Sequence, residues 1–209
     1  MDLLEKNHVI TDVASLEALY GFPAGAAVTK EVSYIHPHYK KMIEASPFVV
    51  LATSGPEGLD TSPRGDPPGF VIVEDEKTLL IPDRRGNNRI DSLRNIIMDP
   101  RVALLFLVPG IGETLRVNGR ALICTAPGLL QRFEMDGRLP RSVIVVSVDT
   151  VFFQCSRAIW RSSLWDPQRH IARETLPSLG TMVSDLSGAR IDAQAYDSGL
   201  YERLKASLY

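Results

Sequence analysis

Runs of apolar residues, some continuous and some alternating with polar ones, predict that the middle of the chain is built from β-strands. The predicted strands cover residues 48–53, 59–64, 70–73, 77–81, 102–108, 114–124 and 142–155. Most of them are joined by short turns, whereas a parallel sheet would need a crossover helix after nearly every strand. The pattern therefore predicts a mainly β protein with peripheral helices, in which an antiparallel sheet closes into a barrel.

Helical spacing of apolar residues appears on both sides of the strands and twice between them. It predicts helices over residues 12–20 and 35–45 before the first strand. Two further helices are predicted over residues 88–98 and 127–134, each between strands. An amphipathic helix is predicted over residues 192–208.

This change of character divides the chain into three parts. Residues 1–33 are expected to form an N-terminal helix and an irregular arm, and residues 34–165 the barrel. Residues 166–209 are expected to form a C-terminal extension with a terminal helix, packed on the barrel or on a partner subunit. With 209 residues, the chain is long enough to bury a core without disulfides or metal ions.

Charge and composition narrow the classes of function. The formal net charge is −2, and a general nucleic-acid binder would show a basic surplus. The longest apolar run, residues 102–108, is far too short to span a bilayer, and residues 1–20 do not resemble a signal peptide. We therefore expect a cytoplasmic protein that binds neither nucleic acid nor membranes, with Cys124 and Cys155 as reduced thiols.

The strongest candidate for chemistry is the segment of residues 79–94, predicted as a strand, a donor-rich turn and the start of a helix. A helix N-terminus leaves backbone N–H groups unpaired and carries partial positive charge. Two asparagines and three arginines surround this one: Asn87, Asn88, Arg84, Arg85 and Arg89. The set suits an anion, above all a phosphate. A solvated polar turn explains the same residues equally well.

The remaining motifs do not indicate a metal or nucleotide site. His36 and His38 are two residues apart and would not share a helix face, and no Cys or carboxylate cluster lies near them in sequence. We therefore expect no metal site. The chain also lacks a Rossmann fingerprint, a P-loop and a nucleophile elbow.

Five short motifs in a fixed order carry a resemblance to a known family. They are residues 46–53 (SPFVVLAT), 62–66 (SPRGD), 80–83 (LIPD) with 86–89 (GNNR), 99–106 (DPRVALLF) and 113–121 (ETLRVNGRA). No single motif is diagnostic, but their order and spacing resemble those of the pyridoxamine-5′-phosphate-oxidase-like FMN-binding split-barrel proteins. The resemblance covers roughly residues 34–165.

The resemblance implies an antiparallel split β-barrel that forms a homodimer, with one FMN in each of two clefts at the subunit interface. Arg64 matches an arginine that contacts the FMN phosphate or the ribityl chain. Ile81 and Pro82, which precede Asp83 in the third motif, match a pair of residues that lies along the isoalloxazine ring.

Four more residues acquire expected roles in the same way. Asn87 and Asn88 fall where pyridoxamine phosphate oxidases carry an Arg-Lys pair that holds the phosphate, and Arg89 is positioned to supply the displaced charge. Thr114 falls at a glutamine position that reaches the flavin from the other subunit.

The end of the predicted barrel departs from the family pattern. Residues 152–167 lack the substrate motif of true pyridoxamine phosphate oxidases, so the resemblance favours an FMN-dependent branch and not a vitamin B6 oxidase. We expect an FMN-dependent oxidoreductase that acts on a small molecule, with Arg116 and Arg161 as candidates for charge near the flavin or substrate and no catalytic residue assigned. Two alternatives remain open: a non-catalytic flavin carrier or sensor, and the same cleft reused for haem or a deazaflavin.

Overall fold

The computed structural model describes residues 8–209 and divides the chain into two units at Glu31. The first unit contains helices α1 (Val13–Tyr20) and α2 (Ala26–Thr29). Asp12 caps α1, because its carboxylate accepts a hydrogen bond of 2.8 Å from the backbone N–H of Ser15. The predicted helix over residues 12–20 is thus confirmed, and residues 1–7 of the predicted N-terminal part lie outside the described residues.

The second unit, Val32–Tyr209, contains seven strands and seven helices. The strands are β1 (Phe48–Gly55), β2 (Gly58–Gly65), β3 (Ile72–Asp75), β4 (Thr78–Asp83), β5 (Arg101–Leu107), β6 (Thr114–Cys124) and β7 (Ser142–Gln154). The helices are α3 (Pro37–Ala45), α4 (Asp91–Met98), α5 (Pro127–Gln131), α6 (Arg157–Ser162), α7 (Leu179–Leu186), α8 (Ala193–Asp197) and α9 (Leu200–Lys205). Two single 3₁₀ turns, Pro167–Arg169 and Arg173–Thr175, lie between α6 and α7.

The seven strands form one antiparallel sheet in the order β2-β1-β5-β6-β7-β4-β3. β2 and β3 are the edges of this sheet. The mainly β fold with peripheral helices is therefore confirmed. The strand pattern alone predicted a closed barrel, and in the described chain the sheet remains open, as in the split barrel that the family resemblance implies.

The larger of two apolar clusters fills the inner face of the sheet. Strand β1 alternates, so that Val49 and Leu51 are fully buried in this cluster while their neighbours are not. Strand β4 and the first half of β7 are buried on both faces, because α5 and the residues after it cover the outer side. There, Leu80, Phe133 and Val143 form the second cluster.

The C-terminal part differs from its prediction. The single helix predicted over residues 192–208 is wrong: α8 ends at Asp197, and Gly199, with φ of +65°, precedes α9. Helix α7 was not predicted, and its N–H at Gly180 donates to the carboxylate of Asp197 at 2.8 Å. A side chain at Gly180 would meet the carbonyl oxygen of Ala193 at 2.2 Å, so the glycine permits α7 and α8 to touch.

Across residues 8–209, no helix has the length and apolar character that crossing a bilayer demands.

Gly119 provides a test of the sheet register. It lies at an irregularity in the pairing of β6 with β7, where an added Cβ would stand 2.2 Å from the carbonyl oxygen of Ser147. Since that oxygen belongs to the backbone, Gly119→Ala must push the two strands apart. We expect the free energy of unfolding, measured by urea denaturation, to fall by about 1–3 kcal/mol.

The matched control is Gly128→Ala in α5, where an added Cβ meets nothing within 4 Å. Alanine is the better helix former, so this variant should be as stable as the parent protein or slightly more stable. Equal stability of the two variants would show that the close approach at Gly119 is not present in solution.

Candidate functional site

An ion pair joins the two ends of the open sheet. Nη1 of Arg64, on β2, lies 2.5 Å from Oδ1 of Asp83, the last residue of β4, and the two side chains are only 17% and 15% exposed. β2 and β4 stand five places apart in the strand order. The sheet must therefore curl until these strands face each other, and we call the line where they meet the seam.

A second ion pair lies just beyond the ends of the same two strands. Nε of Arg84 donates to Oδ2 of Asp66 at 2.6 Å, and Nη1 of Arg84 donates to the carbonyl oxygen of Phe133 at 2.5 Å. The Asp66 side chain is only 2% exposed. The loop that follows β4 is thus fixed at its first residue by two groups from other parts of the chain.

A cavity of about 610 Å³ opens at the seam. Its size lies within the range of small-molecule and cofactor sites. It is lined by residues 60–65 of β2, Phe70, residues 82–93 from the end of β4 into α4, Arg141 and Ser142. Five arginines and three aspartates are among these residues, so the wall carries a net positive charge. An anionic ligand is favoured there.

Arg64, which lines this cavity, has an unused hydrogen-bond donor. Its Nη1 is occupied by Asp83, but its Nε is buried and has no hydrogen-bond acceptor. Among residues 8–209, no other buried side-chain nitrogen or oxygen atom lacks a hydrogen-bond partner. Such an atom costs about 1–3 kcal/mol when it stays unsatisfied, so a ligand with an acceptor atom at Arg64 would recover that free energy.

Two residues of the loop after β4 have a left-handed backbone conformation. Asn88 has φ of +61° and Ile90 has φ of +53°. Asparagine tolerates this conformation, whereas a β-branched residue does so at a cost. Oδ1 of Asn88 accepts a hydrogen bond of 3.0 Å from Nη1 of Arg141, and Oδ1 of Asn87 accepts one of 3.1 Å from the N–H of Arg89.

The helix N-terminus itself contributes less than predicted. The helix expected over residues 88–98 begins at Asp91, so the predicted start is wrong by three residues. Asp91 places a carboxylate in the first turn, where it already complements the helix dipole. It also binds Nε of Arg89 at 2.8 Å, and nearby Oγ of Ser92 donates to Asp60 at 2.8 Å. The remaining donors at the cavity are side chains, above all Arg64 and Arg141.

The structure separates the other predicted site residues into two groups. Pro82 and Asp83 line the cavity, but the side chain of Ile81 is fully buried in the barrel core and does not. Thr114, Arg116 and Arg161 lie outside the lining of this cavity in their own chain.

These three residues have other neighbours. Oγ1 of Thr114 contacts Oε1 of Gln154 at 3.2 Å. The guanidinium of Arg116 lies 5.5 Å from the centre of the Phe152 ring, and Arg161 is exposed in the last turn of α6.

Asp66, Arg141 and Tyr209 belong to the same neighbourhood and were not predicted as site residues. Asp66 ends the second family motif, which was a signal for it. Nothing in the sequence connects Tyr209 to that motif, yet its hydroxyl donates to Asp66.

The described residues also bear on metal and thiol chemistry. In residues 8–209, no group of three or more His, Cys, Asp and Glu side chains is arranged to hold a metal ion. Both cysteines, Cys124 and Cys155, are free.

Solved structures with a similar backbone come from several bacteria. HupZ of Group A Streptococcus is 20% identical over 58% of this chain and 95% of its own, with a TM-score of 0.48. General stress protein 26 of Bacillus anthracis is 18% identical over 54% and 88%, with a TM-score of 0.40. An FMN-binding protein of Syntrophomonas wolfei is 10% identical over 54% and 86%, with a TM-score of 0.41. Among curated proteins, no sequence matches this chain.

A family model identifies the chain more directly. The model described as pyridoxamine 5′-phosphate oxidase matches residues 35–155. That span is more than half of the chain, and it contains all seven strands and every residue that lines the seam cavity. It confirms the resemblance drawn from the five sequence motifs. The protein therefore belongs to the pyridoxamine 5′-phosphate oxidase family.

Proposed function

We propose that this protein binds FMN in the seam cavity and acts as an FMN-dependent oxidoreductase on a small molecule. The observation that carries the proposal is the buried Nε of Arg64, which has no acceptor and belongs to a residue of a positively charged cavity wall. The family of the chain supports the choice of a flavin.

The residues at the cavity fit the two chemically different ends of FMN. Arg64 and Arg141 offer charged donors to the phosphate, and the side-chain amides of Asn87 and Asn88 add neutral ones. The apolar part of the lining, from Phe70, Pro82 and Leu93, offers surface against which a flat ring can be buried. When bound, FMN supplies a group that accepts a hydride, and the protein binds it, orients it and sets the charge around it.

Asp83 has a positioning role in this proposal. Its bond to Nη1 fixes the guanidinium of Arg64 and leaves the other nitrogens for a ligand. A guanidinium held in one orientation loses less conformational freedom when it binds a phosphate.

We further propose that the FMN site is completed by a second copy of the chain. Thr114, Arg116 and Arg161 lie outside the cavity of their own chain, and the family resemblance assigns Thr114 to the flavin of the other subunit. In a homodimer these residues would approach the cofactor of the partner subunit.

The first test is the absorption spectrum of the protein purified without added cofactor, with the released ligand identified by mass. We expect the bands of oxidised flavin and the mass of FMN. Turnover of NAD(P)H with an electron acceptor would then support the oxidoreductase, and its absence with bound FMN would leave a carrier or sensor. A haem or deazaflavin spectrum would overturn the assignment of the cofactor.

Arg64→Ala tests the phosphate contact. We expect it to weaken FMN binding at least tenfold, about 1.4 kcal/mol or more, because the buried donor is lost. Fluorescence titration measures the affinity. The matched control is Arg101→Ala, because Arg101 is an exposed arginine of β5 that pairs with Asp99 away from the cavity. The same loss in both variants would contradict a specific role for Arg64.

A second test of the phosphate contact changes only the charge of the cavity wall. Asn87→Asp together with Asn88→Asp keeps the oxygen atoms that accept from Arg89 and Arg141 but adds negative charge to the cavity wall. FMN affinity should fall, while Gln194→Glu, at an exposed residue of α8 outside the lining of the seam cavity, should leave it unchanged. An unchanged affinity in the double variant would place the phosphate elsewhere.

The dimer is tested by light scattering of the FMN-loaded protein. We expect twice the chain mass of 23.1 kDa. Because Thr114, Arg116 and Arg161 lie outside the cavity of their own chain, a monomer that binds FMN with full affinity would contradict the shared site.

A further inference from the structure

We propose that Tyr209 is a positioning residue of the seam cavity: it holds Arg84, and through Arg84 the loop of residues 84–90, in the conformation that forms the cavity wall. The expected effect of Tyr209 on FMN affinity rests on the proposed function. The expected effect of Tyr209 on the conformation of the loop does not.

Three contacts fasten Tyr209 to the seam. Its hydroxyl donates to Oδ1 of Asp66 at 2.6 Å. Its ring lies under the guanidinium of Arg84, with Cζ 5.4 Å from the ring centre. Its backbone carbonyl accepts a hydrogen bond from Nη1 of Arg138. Each contact uses a different part of the residue, so together they fix both its position and its orientation.

The carboxylate of Asp66 depends on both of its partners. It is almost fully buried, and one oxygen accepts from Arg84 while the other accepts from Tyr209. Without the tyrosine hydroxyl, Oδ1 would lose that donor in a site with little access to water, and Arg84 would lose the cation–π contact as well. Both losses weaken the ion pair between Arg84 and Asp66, which anchors the loop after β4.

The hydroxyl remains a donor throughout the neutral range. The hydrogen bond to Asp66 and the burial of the ring raise the pKa of Tyr209 above its ordinary value of 10.0. A raised pKa means that the contribution of this bond to stability is fully present below pH 10 and is lost as the pH rises through the raised value. The contact therefore does not switch at physiological pH.

A wall shared by two cavities connects the contacts of Tyr209 to the seam cavity. A second cavity of about 370 Å³ is lined by Tyr209 together with Arg138, Leu139 and Pro140, and it shares Arg84, Arg85 and Arg141 with the seam cavity. Arg141 in turn donates to Asn88. A displacement of Arg84 or its neighbours therefore changes the lining of both cavities.

Because binding equilibria are reciprocal, the coupling runs in both directions. If Tyr209 stabilises the loop conformation that FMN binds, then bound FMN must hold Tyr209 more firmly at Asp66. Tyr209 and the cofactor then stabilise each other without touching.

The experiment compares Tyr209→Ala, Tyr209→Phe and the control Tyr201→Ala in the full chain. Tyr201 lies on α9 in the same terminal segment, and its side chain is 74% exposed. Hydrogen exchange of the amides in residues 84–90 is measured first, without FMN, with the amides of β6 and β7 as a reference for the whole fold. FMN affinity and the FMN dissociation rate are measured next.

We expect Tyr209→Ala to speed exchange in residues 84–90 while β6 and β7 stay protected, and to weaken FMN binding by about fivefold or more. Tyr209→Phe keeps the ring over Arg84 and loses only the hydroxyl, so it should restore part of both effects. Tyr201→Ala should match the parent protein in both measurements.

Unchanged exchange in residues 84–90 of Tyr209→Ala would overturn the inference, whatever the FMN affinity. Faster exchange in the loop with unchanged FMN affinity would overturn its link to the cofactor. If the parent protein binds no FMN, the proposed function fails, and the exchange of the loop alone decides the role of Tyr209.

Discussion

The ion pair between Arg64 and Asp83 is the contact on which the site depends. It joins two strands that the sheet places far apart, and the cavity exists because these strands face each other at the seam. A partly buried ion pair contributes little net stability, since desolvation offsets much of the attraction. Its main effect is geometric: it fixes the curl of the sheet and orients a guanidinium that still has a free donor.

Much of the fold could be predicted because its signals are local. Most strands of the barrel have an apolar pattern of their own, and the turns between β1 and β2 or β3 and β4 are short enough to force antiparallel neighbours. The segment after β4 was recognised as a candidate site because its donors are adjacent in sequence. The order of five motifs then identified the family without any knowledge of the sheet.

The rest depends on contacts that no local pattern records. Ile81 was expected beside the flavin ring because, with Pro82, it matches a residue pair of the family, but its side chain lies in the core of its own chain. On a strand buried on both faces, apolar character does not tell which side a residue faces. The start of α4 moved to Asp91 because the loop uses left-handed residues, Asn88 and Ile90, where helical residues were expected. The bond between Tyr209 and Asp66 joins residues 143 positions apart, beyond the reach of any spacing rule.

The positions of the seam partners also bear on the order in which the chain can fold. Arg64 and Asp83 are 19 residues apart, and Asp66 and Arg84 only 18, although their strands lie near opposite edges of the sheet. Closing a loop of that length costs little more entropy than closing a hairpin half as long. The seam can thus form early, from a continuous piece of chain, while β5, β6 and β7 are added between its sides afterwards.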